Sequence, residues 1–328
     1  MTSTLDVTIA PGRPAILATG PATDAPHWLE QHRDPVREQL ATHGALLVRG
    51  LGLRSAADVA AASRALAGPA MVEREAFAVR APLAGGVYPA TPWPAHQTMC
   101  AHHELSYAQE FPGLLAFGCL TAAAEGGATT LADAAGVLAA LPADLVTRFE
   151  REGWLLVRTY HPEMGASYAD AFGTPDRASV ERYCRSHDIG FEWRPGGVLQ
   201  TRQRRRAVVQ HPRSRRRCWF NQVAFLSEWT LDPDVRDLLV DEYGPDALPF
   251  TTRFGDGDPI GADVVAAINA AYDGHTVRTP WQDGDLLLVD NLRTAHGREP
   301  YAGPREVVVA LAEPMRQAAL TDAGRGVS

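Results

Sequence analysis

Short apolar runs broken by glycine and proline recur from Gly113 onwards, and they narrow the fold more than any other feature of the chain. The runs 114–120, 154–159, 207–210, 218–222, 285–289 and 306–311 have the length and bounding residues of β-strands. Helices are expected at about 133–141, 143–151, 176–185, 233–243 and 263–272. The fourth is the clearest, with Asp232 as cap and Pro233 in the first turn. Upstream, Asp34-Pro35 opens a helix that runs to about Thr42 and that Gly44 ends. The run 45–48 then reads as a core strand, and Ser55 with Asp58 caps a helix through Leu66. Strands so scattered, with helices grouped around them, fit a mainly β, α+β fold better than a βαβ wind. Residues 1–25 read as an N-terminal arm over the body or a mobile tail. No internal repeat or linker stands out, so 1–328 reads as a single domain.

Composition excludes several function classes. With 45% hydrophobic and 21% charged residues, the chain has the make-up of an ordinary globular protein that can bury a sizeable core. A formal net charge of -8 argues against a general nucleic-acid binder. Cys100, Cys119, Cys184 and Cys218 form no CxxC pair, which favours reduced thiols and a cytoplasmic location. Residues 1–8 lack a basic region followed by an apolar core, so no signal peptide is expected. No uninterrupted apolar run is long enough to span a bilayer, and no membrane partner is expected.

The chemistry-bearing residues fall in separate stretches. In His102-His103-Glu104, residues at i and i+2 of a strand share a face, so His102 and Glu104 can grip one ion while His103 faces away. His296 follows the apolar run 286–289, at a strand end where it can project into a cavity. Two histidines and one carboxylate make the facial triad of non-haem iron(II) oxygenases, and nitrogen and oxygen ligands without thiolate favour iron over structural zinc. Taken alone, a His-x-Glu pair is usually surface polarity and His296 an ordinary turn histidine. Gly126 to Asp133 reads as a tight turn ahead of a helix. Arg305, nine positions past His296, begins the next apolar strand and can fork onto a carboxylate.

Together these pieces resemble the taurine dioxygenase and clavaminate synthase-like superfamily, and within it the branch that hydroxylates amino acids in natural-product pathways. The resemblance is carried by Thr91-Pro92-Trp93-Pro94, His102 to Tyr107, Gly126 to Asp133, Trp219-Phe220-Asn221-Gln222 and Asp290 to Arg305, in family order over roughly residues 70–315. It implies a double-stranded β-helix, or jelly roll, with helical insertions. It also implies Fe(II) on His102, Glu104 and His296, with 2-oxoglutarate as cosubstrate and O2 as oxidant. The far carboxylate of 2-oxoglutarate would rest on Arg305, helped by the Thr129 hydroxyl. The Arg spacing is slightly shorter than in many relatives, so Arg298 is a second candidate. The carboxylate ligand is Glu rather than the commoner Asp, as in clavaminate synthase-like members. Related halogenases lack that ligand, so Glu104 favours hydroxylation over halide transfer.

Several residues carry two readings. Tyr107 touches substrate or sits in the core; Asn221 lines the site or belongs to a packed strand. Arg298 binds a carboxylate or stabilises its own loop. His161, His187, His211 and His275 have no partners at ligand spacing and read mostly as surface or capped residues. The arginines of Arg202–Arg217 bracket 207–210 and read as a hairpin edge defended by charge, or as a docking patch for an acidic carrier protein. The expected substrate is a small amino-acid-like molecule, free or carrier-tethered, and nucleic acid is not an expected partner. A desaturase or cyclase of the same chemistry, a silent jelly-roll binding protein and a zinc hydrolase are the competing functions. Segments 70–100 and 160–200 are the expected sources of substrate-choosing side chains.

Overall fold

The computed structural model describes residues 5–20, 24–78, 80–162 and 164–320. Its largest sheet runs, in spatial order, Val7–Thr8, Ala15–Ala18, Ala45–Arg49, Leu286–Asp290, Glu110–Thr121, Glu306–Arg316 and Tyr88–Pro89. All neighbours pair antiparallel except Ala15–Ala18 with Ala45–Arg49. The described part of the N-terminal arm is therefore not loose: its two short strands extend one edge of the sheet.

The central strands are apolar on successive residues through their middles because the sheet is covered on both faces. Leu114, Ala116, Leu286, Leu288, Val308 and Ala310 pack against helices, joining Leu29, Val36, Leu40, Val59 and Leu66. The alternate residues Leu115, Phe117, Leu287, Val289, Val307 and Val309 belong to the opposite core, together with Met99, Leu131 and Ala295. Full burial of one such side chain is worth about 1.5–3 kcal/mol, so the double cover is a principal source of stability. Gly118 falls where Ala56–Ala67 closes on the sheet, and a Cβ there would overlap the side chain of Val59.

Across this second core lies a four-stranded antiparallel sheet, ordered Thr276–Val277, Thr129–Asp133, Thr294–Arg298 and Met99–His102. A third sheet is ordered Gly190–Trp193, Leu199–Arg205, Trp154–Tyr160 and Phe250–Phe254. The fold is thus mixed helix and strand, with antiparallel sheets. The expected helices are present as Ala134–Ala140, Ala143–Glu152, Arg177–Ser186, Pro233–Tyr243 and Ala262–Gly274. All four cysteines are free thiols. Among the described residues, no helix is long and apolar enough to cross a membrane.

Candidate metal centre

His102 and His296 are directly opposed across the antiparallel pair Met99–His102 and Thr294–Arg298, so both imidazoles emerge on one face of the sheet. The His102 ring stacks on Phe225, with centroids 4.2 Å apart, and its Nδ1 donates to the Cys100 carbonyl at 2.9 Å. That bond fixes the tautomer and leaves Nε2 with a free lone pair. Burial pushes the His296 imidazole down to about 4, helped by the neighbouring His102, so this ring is neutral near pH 7.

Glu104 joins them by a different route from the expected one. The strand ends at His102, and Glu104 lies in the turn beyond it, just before Leu105 at φ 53. Asn291 brings it into place. Its Oδ1 accepts from the Glu104 amide at 2.8 Å, and its Nδ2 donates to the Glu104 carbonyl at 2.9 Å and the Pro112 carbonyl at 2.8 Å. His103 faces away as expected, fully buried, its ring bonded to the Asn291 carbonyl. The Glu104 Oε2 lies 3.8 Å from His102 Nε2 and 3.6 Å from His296 Nε2. Its Oε1 accepts from Arg80 at 3.1 Å. Burial works against ionisation of Glu104, but the two imidazoles beside it and the Arg80 charge outweigh it and hold the carboxyl well below its usual range. The potential ligand atoms of His102, Glu104 and His296 all lie within 4.8 Å of one another, which is the spacing of a metal-binding set.

The adjoining cavity is walled by Phe117, Val307 and Val309 from the seven-stranded sheet, and Thr129, Arg298 and Arg305 line it as well. Arg305 Nε donates to the Gly127 carbonyl at 2.9 Å, and no carboxylate pairs with its guanidinium among the described residues. Burial and the nearby Arg298 charge push it down to about 10, so it is still a cation at neutral pH. Gly127 has φ +70, and a Cβ there would crowd Arg305 and Tyr301. The glycine pair, expected only as a turn, is therefore also what lets the guanidinium approach.

Residues 8–311 match the Taurine catabolism dioxygenase TauD, TfdA family. The chain belongs to this family. It is accordingly a dioxygenase. It is 35% identical over 281 residues to the dapdiamide synthesis protein DdaC of Enterobacter agglomerans, covering 86% of this chain and 85% of that protein. A clavaminate synthase-like protein of Arabidopsis thaliana is 31% identical over 281 residues, covering 82% and 81%. The crystal structure of PvcB from Pseudomonas aeruginosa shares the fold, with a TM-score of 0.55 at 16% identity, covering 95% of this chain and 91% of that one.

Within this TauD/TfdA frame, the remaining site residues sort clearly. Thr129 and Arg305 face one cavity with the triad, as does Arg298. Arg298 is already engaged: its Nη2 donates to the Pro94 and Gln97 carbonyls at 2.8 and 2.9 Å, which favours its role in holding a loop. Tyr107 lines the cavity beyond Glu104, but its hydroxyl donates to the Glu75 carbonyl at 2.8 Å. Asn221 is 1% exposed and does not line the cavity. Its amide donates to the Ala207 carbonyl and its oxygen accepts from the Val223 amide, so the expected substrate contact is replaced by a backbone clamp. His211 is likewise not a surface residue: it is buried and bonds Asp290 at 3.0 Å.

Sequence reasoning missed Arg80, Glu73 and Phe225, which line the cavity around Glu104 together with Gln222. Arg80 donates to both oxygens of Glu73 and to Thr91 Oγ1 while it holds Glu104. Only the broad expectation that 70–100 supplies the substrate wall pointed towards it. The basic run also changes character. Arg205 is 5% exposed and donates to the carbonyls of Tyr107, Asp188, Arg204 and His187. Arg216 and Arg217 pair with Asp133 and Glu150.

Proposed function

We propose that this chain is an Fe(II)- and 2-oxoglutarate-dependent hydroxylase acting on an unactivated C–H of an amino acid or carrier-tethered aminoacyl group, with succinate and CO2 as coproducts. The observation that carries the reading is the convergence of two imidazoles and a carboxylate on a cavity that is also lined by Arg305, an arginine with no carboxylate partner among the described residues. The donor set suits Fe(II), which favours imidazole with carboxylate when open positions must remain. When bound, the iron would supply oxygen activation coupled to oxidative decarboxylation of the cosubstrate.

The chain's own residues have distinct tasks in this scheme. Arg80 donates to Oε1 of Glu104, and Oε2, nearer the two imidazoles, would be the oxygen available to a metal. Arg305 would fork onto the far carboxylate of 2-oxoglutarate, with the Thr129 hydroxyl beside it. Phe117, Val307 and Val309 keep water from the reacting centre. We read the core as a jelly roll formed by the seven- and four-stranded sheets, the whole chain as one domain, and its location as the cytoplasm. The names of DdaC and of PvcB's isonitrile-pathway oxygenase support a place in natural-product biosynthesis. Carrier docking would rest on Arg213 and Arg215, for which no carboxylate partner is found among the described residues.

Anaerobic addition of Fe(II) and 2-oxoglutarate to metal-free protein tests the reading through the visible charge-transfer band of the chelate. A band should form, and Arg305→Ala should need at least tenfold more 2-oxoglutarate to reach it, the loss expected for a charge-assisted pair worth about 1.5–3 kcal/mol. Bound iron without a band would overturn the cosubstrate assignment.

A further inference from the structure

Gln222 lines the cavity beside His102 and Glu104, and one end of its side chain is committed. Nε2 donates to the His103 carbonyl at 2.8 Å, at the residue between the two first ligands. A carbonyl only accepts, so this bond settles which end of the carboxamide is nitrogen. The other end, Oε1, is a buried acceptor with no hydrogen-bond donor among the described residues, on a residue only 5% exposed. A buried carbonyl left without a donor costs about 1–3 kcal/mol, and a ligand that supplies one recovers it.

The surroundings limit what kind of donor fits. Phe77, Phe225 and Tyr107 make the adjacent wall, which suits a carbon chain. The carboxylates that line this cavity are Glu73 and Glu104, and both are held by Arg80. With Glu104 given to the metal and the single Arg80 charge offsetting Glu73, an ammonium group would enter with no carboxylate left to neutralise it, whereas a neutral N–H needs only an acceptor. Building on the reading of Glu104 as an iron ligand, we infer that Gln222 Oε1 receives a neutral amide N–H of the substrate. The substrate class is then an amide-bearing aliphatic molecule whose amide nitrogen sits beside the metal, with its carbon chain against Phe77 and Phe225.

The test uses wild-type protein loaded with Co(II) and 2-oxoglutarate under nitrogen, so that loading is read from the cobalt spectrum before any probe is added. Two matched pairs are titrated by calorimetry: asparagine against aspartate β-methyl ester, and N-acetylalanine against O-acetyllactate. The amide of at least one pair should bind about tenfold more tightly than its ester, the ratio for one hydrogen bond of about 1.4 kcal/mol. Gln222→Leu should erase that ratio while the cobalt spectrum stays unchanged. Equal binding within both pairs, no binding by any probe, or a ratio that survives in Gln222→Leu would overturn the inference. So would tighter binding of alanine methyl ester, a free amine, than of N-acetylalanine methyl ester. If Gln222→Leu fails to fold, the wild-type ratio alone decides. Failure of Co(II) and 2-oxoglutarate to load would instead count against the hydroxylase reading itself.

Discussion

Replacing Asn291 with Ala should damage both folding and metal binding, because one side chain serves both. The residue is fully buried and makes three side-chain hydrogen bonds, two to the backbone of Glu104 and one to Pro112. Each is worth about 1 kcal/mol net, and truncation also leaves buried backbone groups without partners, each at about 1–3 kcal/mol. Allowing for partial relaxation, the loss should be about 3–5 kcal/mol, read from urea unfolding of the metal-free protein. The turn that presents Glu104 would also lose its anchor, so Co(II) affinity should fall about 10–100-fold, the usual cost of removing a group that orients a ligand. Conversion to Asp is a sharper probe, since it keeps the acceptor for the Glu104 amide but turns an oxygen towards two carbonyls. It should bind metal no better than the alanine variant. Unchanged cobalt affinity in both variants, beside a large stability loss, would show that Asn291 supports the fold without placing Glu104.

Two further outcomes follow from packing. Arg205→Glu should fail to accumulate as soluble protein or lose more than about 4 kcal/mol, because a carboxylate would replace a guanidinium among four carbonyl oxygens. Arg215→Glu should stay within about 0.5 kcal/mol, and comparable thermal midpoints for the two would refute the distinction. Gly118→Ala should cost about 1–3 kcal/mol in urea unfolding, as its methyl group is forced into Val59; a neutral effect would mean that the helix can yield.

The elements easiest to read in the sequence are those whose only task is packing. Runs 114–120 and 306–311 reappear inside Glu110–Thr121 and Glu306–Arg316, and 285–289 reappears one residue along as Leu286–Asp290. The helix expected at 233–243 is Pro233–Tyr243, capped by Asp232 as its residues suggest. The strands that carry the site are harder. Thr294–Arg298 and Thr129–Asp133 place His296, Arg298 and Thr129 where an ordinary strand would place apolar residues, so their composition imitates turns. The triad residues were visible because their types are chemically restrictive. Arg80 and Asn291 act through hydrogen bonds to Glu104 from distant positions, and neither has a local signature. Arg205 was misjudged for the converse reason: its neighbours are charged, and nothing in the sequence shows a guanidinium turned inward to carbonyls at the end of Arg177–Ser186.

The double cover of the seven-stranded sheet removes the usual rule by which a strand knows its alignment. Where one face is wet, slipping by one residue exposes oily side chains; here either alignment would bury them. What differs between the faces is bulk. Towards the helices the two long strands present Leu114, Ala116 and Gly118 beside Val308, Ala310 and Ala312. Towards the cavity they present Leu115, Phe117 and Cys119 beside Val307, Val309 and Leu311. A one-residue slip would drive Phe117 into the space that Val59 fills and leave Gly118 facing the cavity. Size, not polarity, tells these strands where to stop, so an exchange that preserves hydropathy but reverses large and small would still misalign the wall opposite the metal ligands.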